Sequence, residues 1–147
     1  MKSFNVLDSA LDIHKNYLLE ASAGTGKTFS IENIVVRLLI EKKENYVPPS
    51  LEQILVMTFT KAAANDLKGR IRTNIQSTVS AIENAIETAA PPSIDYLLPF
   101  YEKGEAALLE AKRSLERALF CFEDAHIFTL HGFCARMLRD HVLEGDV

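Results

Sequence analysis

The nonapeptide Glu20-Ala21-Ser22-Ala23-Gly24-Thr25-Gly26-Lys27-Thr28 restricts the choice of fold more than any other part of the chain. It stands between a short apolar run, Tyr17-Leu18-Leu19, and a stretch from Phe29 to Ile40 with helical periodicity. Strand, glycine-bearing loop and helix in that order make a phosphate-binding loop, with Ala21 where the strict pattern has its first glycine. Gly24 and Gly26 lack a Cβ, so the backbone can turn tightly and aim its N–H groups at phosphate oxygens. Those donors open a helix, whose positive dipole end favours an anion. Lys27 would reach the β- and γ-phosphates, and the Thr28 hydroxyl would complete the shell of a Mg²⁺ ion. The plain alternative is a chance glycine-rich turn. The expectation is an α/β fold with a parallel sheet that binds a nucleoside triphosphate.

A chain of 147 residues is long enough for one domain with a sizeable core. Its net charge of −4 argues against a surface that is basic throughout and sticks to nucleic acid. A local basic groove remains open, because Lys61, Lys68, Arg70 and Arg72 cluster, and Arg136 and Arg139 lie near the end. The two cysteines, Cys121 and Cys134, give no disulfide framework and suit a reducing compartment. Zinc bound by His131, Cys134 and another histidine fits the spacing, but a cysteine on an apolar helix is more often simply buried. The most apolar run, Ile34 to Ile40, contains Arg37 and is too short to span a bilayer. A cytoplasmic protein is expected.

Glu41 to Ser50 is charged, then carries Pro48 and Pro49, which end the first helix. Ile54 to Met57 reads as a strand covered on both faces. Thr60 reads as an N-cap for a helix with Ala63, Leu67 and Ile71 at helical spacing, continuing to about Ala89. After the break at Ala90-Pro91-Pro92-Ser93 come helical stretches from Ile94 to Tyr101 and from Glu105 to Glu123. The second is expected to face solvent through its alternating charges. Residues 75–123 are therefore read as a helical insertion between core strands. Ala125 to Leu130 returns to strand character, and Gly132 to Leu143 closes the chain as a helix.

Two further segments follow predicted strands. One runs Met57-Thr58-Phe59-Thr60-Lys61-Ala62-Ala63 and continues to Gly69-Arg70-Ile71; the other is Phe128-Thr129-Leu130-His131-Gly132-Phe133-Cys134. Open α/β sheets bind ligands at the carboxyl ends of their strands. Hydroxyls and backbone N–H groups beside an aromatic ring can hold a single nucleic-acid strand. On pattern alone it is equally open that Phe59 and Phe133 are core residues and the threonines helix caps.

The three blocks together resemble motifs I, Ia and Ib of the UvrD-like helicases of superfamily 1, and within that group most resemble the RecB branch. The likeness rests on Glu-Ala-Ser-Ala-Gly-Thr-Gly-Lys-Thr-Phe, on Thr-Phe-Thr-x-Ala-Ala continuing to Gly-Arg-Ile, and on Phe-Thr-x-His-Gly-Phe-Cys. It implies the N-terminal part of a RecA-like motor domain, using ATP and Mg²⁺ to move along and unwind single- and double-stranded DNA. It also implies RecC-like and RecD-like subunits of a heterotrimer that degrades DNA. Carried onto this sequence, Ala21, Ser22, Ala23, Gly24, Thr25, Gly26, Lys27 and Thr28 form the ATP loop, with Thr28 on Mg²⁺. Phe59, Thr60, Thr129, His131 and Phe133 meet the DNA strand. His14 stands where the family has a glutamine that reads adenine; an imidazole offers no bidentate amide. No strand here ends in the family's Asp-Glu pair, and Asp124 after Glu123 precedes its strand. An AddA-type helicase–nuclease, a small phosphate-loop kinase or GTPase, and a non-catalytic interaction module are the other readings.

Overall fold

The computed structural model describes residues 4–20 and 26–144, with side chains as far as residue 142. Five helices and two strands are formed among them: α1 Lys27–Ile40, β1 Leu55–Thr58, α2 Lys61–Thr88, α3 Leu98–Lys103, α4 Glu105–Phe120, β2 His126–Thr129 and α5 Leu130–Glu144. Single 3₁₀ turns at Leu51–Gln53, Asp95–Leu97 and Phe122–Asp124 lead into β1, α3 and β2.

The two strands pair in parallel, with Leu55 opposite His126 and Thr58 opposite Thr129. Side chains alternate across a pleated strand. Val56 is accordingly buried, and its register partner Ile127 packs on the core. Leu55 and Met57 point the other way and are each 45% exposed. Burial on both faces, expected from the apolar run, is therefore found on one face only. The first expected strand differs as well. Residues 17–20 have no regular secondary structure, and Leu18 is 86% exposed. A strand needs a neighbouring ladder, and β1 and β2 satisfy each other instead.

What holds segment 4–20 is Arg37, the residue that interrupted the apolar run of α1. Its side chain is fully buried. It donates to the carbonyls of Val6 (2.8 Å), Asp8 (3.1 Å) and Leu11 (2.8 Å), and its Nη2 and Nε donate to the Glu41 carboxylate. The guanidinium also lies over the Tyr96 ring, 5.6 Å from its centre. A buried charge persists only when paired and hydrogen-bonded, and this one is both.

The core sits among the helices. Val36 of α1, Ile71, Ile75 and Ile82 of α2, and Leu115 of α4 are completely inaccessible, with Leu108, Ala111 and Ala118 closing the α4 side. The stretch read as an insertion with a solvent-facing helix thus supplies half of the core. α4 is amphipathic: its charges face out, and its leucines and alanines at i, i+3, i+7 and i+10 face in. α2 ends at Ala89, a non-glycine residue in the left-handed region (φ 53°), whose carbonyl accepts the Tyr101 hydroxyl at 2.8 Å. Pro91 and Pro92 follow, so the helix cannot continue.

Candidate functional site

Ala21, Ser22, Ala23, Gly24 and Thr25 lie outside the described residues. The end of the loop is described. Gly26 is the N-cap of α1 with φ 95°, a conformation open to glycine at little steric cost, and no side chain caps the helix. The first N–H groups of α1 therefore have no side-chain acceptor among the described residues, as suits an anion-binding helix start. Lys27 is exposed and forms no ion pair with a described residue; Thr28, beside it, is half-buried. One turn further along, Glu32 carries a buried carboxylate oxygen without a hydrogen-bond partner among the described residues. Burial raises its pKa, with Arg70 opposing.

His14 belongs to the 4–20 segment. Its backbone N–H donates to Asp12 Oδ1 (3.0 Å), its ring meets Tyr46 edge-on at 4.7 Å, and its Nε2 is buried with no partner among the described residues. Asp12 in turn accepts from Lys43 Nζ at 2.9 Å. The Lys43 hydrogen bond, helped by the His14 N–H, holds the Asp12 carboxyl down at about 2.

The second and third blocks come together. Because Thr58 and Thr129 are register partners, Phe59-Thr60 and Leu130-His131 leave the sheet side by side at its carboxyl end. Phe59 is 90% exposed, which removes the core reading for this ring. Thr60 does cap a helix: its Oγ1 accepts from the Ala63 N–H at 3.1 Å. Thr129 does the same for α5, accepting from the Gly132 N–H at 3.0 Å. A Cβ on Gly132 would come to 2.9 Å from that Thr129 oxygen, so the cap needs glycine there. His131 is exposed, while Phe133 is half-buried with its ring 6.4 Å from that of Phe128. Of the aromatic pair, only Phe59 offers an open face.

Most of the basic cluster is paired with carboxylates. Lys68 and Arg72 both reach Glu123 (3.5 and 3.6 Å) and lie over the Phe122 ring, and Arg70 pairs with Asp66 at 3.0 Å. Arg136 approaches Asp140 and covers Phe128 at 5.3 Å. Lys61, exposed at the start of α2, is the member of the cluster left without an ion pair among the described residues. Glu123 and Asp124 lie at the amino end of β2, away from the strands' carboxyl ends. His131 and Cys134 do not join in a metal site: among the described residues, three potential ligand atoms converge only at Glu52, Cys121 and Asp124. No helix among the described residues is long and apolar enough to cross a membrane.

Comparison with known proteins bears on this arrangement. The family profile UvrD/REP helicase N-terminal domain matches residues 5–146. The RecBCD enzyme subunit RecB of Chlamydia trachomatis is 36% identical over 144 residues, covering 96% of this chain and 13% of the relative. The subunit of the same name from Escherichia coli K12 is 40% identical over 140 residues, covering 91% of this chain and 11% of the relative. That of Mycolicibacterium smegmatis is 32% identical over 146 residues, covering 99% and 12%. The chain therefore spans 11–13% of the length of these relatives. Since the profile runs across α1, both strands and the segments that leave their carboxyl ends, the chain belongs to the UvrD/REP helicase family.

Proposed function

We propose that this chain is the N-terminal part of the first motor domain of a RecB-type subunit, which uses ATP to translocate on and unwind DNA during double-strand-break repair and recombination. One observation carries the proposal. Two segments far apart in sequence, the Phe59-Thr60 turn and the start of α5 at Leu130-His131, emerge together from paired parallel strands with an open aromatic face beside them. Ligands of open α/β sheets bind at such carboxyl ends.

In this reading Ala21 to Thr28 cradle the triphosphate. The uncapped start of α1 supplies N–H donors, Lys27 supplies a positive charge, and the Thr28 hydroxyl is a Mg²⁺ ligand. Bound ATP–Mg²⁺ would supply the free energy of phosphoryl transfer that drives movement. His14 lies beside the base and gives weak adenine selectivity, having one free ring nitrogen where an amide would give two contacts. Phe59 stacks a base. His131, Phe133 and the capped turns at Thr60 and Thr129 meet the backbone, the threonines through backbone groups because their hydroxyls are engaged as caps. The relatives' name, RecBCD enzyme subunit RecB, supports RecC-like and RecD-like partners; a cytoplasmic setting is part of the same proposal.

The test is a pair of titrations. Base stacking on an aromatic ring is worth about 1–3 kcal/mol, so Phe59→Ala weakens binding of oligothymidylate by that amount and leaves nucleotide binding and the melting temperature unchanged. Thr60→Ala instead costs about 1 kcal/mol of stability through the lost cap. Lys27→Ala removes nucleotide binding, and in the protein of the relatives' length it abolishes ATP-driven unwinding. Unaltered strand affinity in Phe59→Ala, or near-normal ATP turnover in Lys27→Ala, would overturn the assignment.

A further inference from the structure

We infer that a groove at the amino end of the sheet, between segment 41–53 and α3–α4, is a docking site for an acidic, apolar-anchored peptide segment of a partner protein. The groove has a volume of about 1110 Å³. That is slightly above the size usual for ligand pockets, up to about 1,000 Å³, and is room for several residues of extended chain. Its floor is apolar, formed by Leu39, Leu51, Ala111 and Ala118. One wall carries Tyr46, 40% exposed, and Val47, 85% exposed; the other carries Phe100.

The charge on its rim is uncompensated in one direction. Lys42 pairs with Glu110, and Glu41 is taken by Arg37. Lys103, Arg113 and Arg117 line the same groove with no ion-pair partner among the described residues, and they are opposed by Glu52 and, at Arg113, by the field of Glu110, which Lys42 already pairs. This cationic rim stands on a chain whose net charge is −4. Phe120, 91% exposed, follows Arg113 by seven residues and Arg117 by three, and so lies on the same face of α4. Arginine and aromatic side chains around an apolar trough are the residue types that dominate protein–protein contacts.

A peptide fits these features better than a nucleic-acid strand. Glu52 and Glu110 sit in the walls, and three cations without an ion-pair partner among the described residues are few against the six to ten phosphate contacts a nucleic-acid binder can make. Position matters too. The groove borders the turns that lead into β1 and β2, whereas Phe59 and His131 leave the other end of the strands. A partner held there would leave the nucleotide and strand loops open.

The experiment is selection of random dodecapeptides on the immobilised chain, with the Arg113→Glu/Arg117→Glu variant as counter-selection. The expected product is a set of net-negative peptides with apolar residues. A synthetic peptide of the leading sequence should bind the double variant at least about tenfold more weakly. Val47→Asp should also weaken it, and Arg139→Glu, on α5, should not. Circular dichroism of every variant should match that of the parent chain. Enrichment of neutral or basic peptides, no enrichment above the double variant, or affinity unaffected by both sets of changes would each overturn the proposal. So would oligothymidylate binding that is lost in the double variant while no peptide is selected, which would make this a nucleic-acid surface. Peptide docking depends on Arg113 and Arg117 and not on Lys27 or Phe59, so its failure is separable from failure of the motor-domain reading.

Discussion

The helical core and the carboxyl rim of the sheet solve opposite problems with similar residues. In the core, Ile71, Ile75 and Leu115 are fully inaccessible, and even a charged side chain, Arg37, is buried with every donor directed at an oxygen or a ring. At the rim, Phe59 is 90% exposed and Leu130 46% exposed, beside small polar devices: threonine caps at 60 and 129, and a glycine at 132 that makes room for one of them. Fully burying a large apolar side chain is worth about 1.5–3 kcal/mol, which the rim forgoes. The difference teaches that stability and contact with ligands are housed apart in this chain. Substitutions should therefore separate into those that unfold it and those that silence it.

The largest effect should come from Arg37→Met. It removes one partner of a buried ion pair and leaves the carbonyls of Val6, Asp8 and Leu11 without their donor. Breaking such a network costs about 3–5 kcal/mol, against about 0–1 kcal/mol for the exposed Arg70–Asp66 pair in Arg70→Ala. Chemical denaturation of the two variants side by side checks this. Equal midpoints would mean that segment 4–20 is not anchored through α1, and the comparison would lose its core half.

Arg37 also shows where the sequence was hard to read. A lone arginine in an apolar run looks like an interruption, because its partners are backbone carbonyls that no pattern reveals. Glu41, one turn later, was the only visible hint. The basic cluster at Lys68, Arg70 and Arg72 was misleading for the same reason: Glu123, which neutralises two of its members, lies far along the chain. Residues 17–19 have a strand's composition, but a strand is defined by its neighbour as much as by itself. By contrast, the helix start at Thr60, the pairing partners near Ile54 and Ala125, and the end of α2 near Ala89 depend on local chemistry and were legible. The rim was legible as two motifs; that their ends meet follows from the parallel register, which only the fold supplies.

A smaller effect, about 1 kcal/mol, is expected for Gly132→Ala. The added Cβ at 2.9 Å from Thr129 Oγ1 pushes the hydroxyl off the start of α5, and loss of an N-cap costs this much. Helix propensity works in the opposite direction but by less, since alanine's advantage over glycine applies to a helix interior and Gly132 lies in the first turn of α5. The two changes are separable by a cycle with Thr129→Ala. If the clash governs, Gly132→Ala is destabilising in the parent chain and becomes stabilising once the hydroxyl is gone. If Gly132→Ala stabilises both backgrounds, the close approach at the rim has no energetic weight.

The smallest effect is a pH dependence at the anchor of segment 4–20. The Lys43 hydrogen bond, with the His14 N–H, lowers the Asp12 pKa from 3.8 to about 2. A carboxyl whose folded pKa is depressed releases its proton more readily when folded, so it adds stability above its unfolded pKa. That contribution is complete above pH 3.8, declines as pH falls toward 2, and is absent below both values. Asp12 is exposed in part and its Lys43 partner more so, so solvent and salt weaken the pair. Asp12→Asn should accordingly be slightly less stable than the parent chain near neutral pH, and the two should converge on acidification through this window. The convergence should shrink in high salt, whereas the Arg37→Met deficit, buried and shielded from ions, should persist. A deficit in Asp12→Asn that is the same at pH 7 and pH 2 would show that the side chain acts by shape alone, as an acceptor that asparagine cannot replace. Segment 4–20 would then be held by the Arg37 clasp without electrostatic help from its own surface.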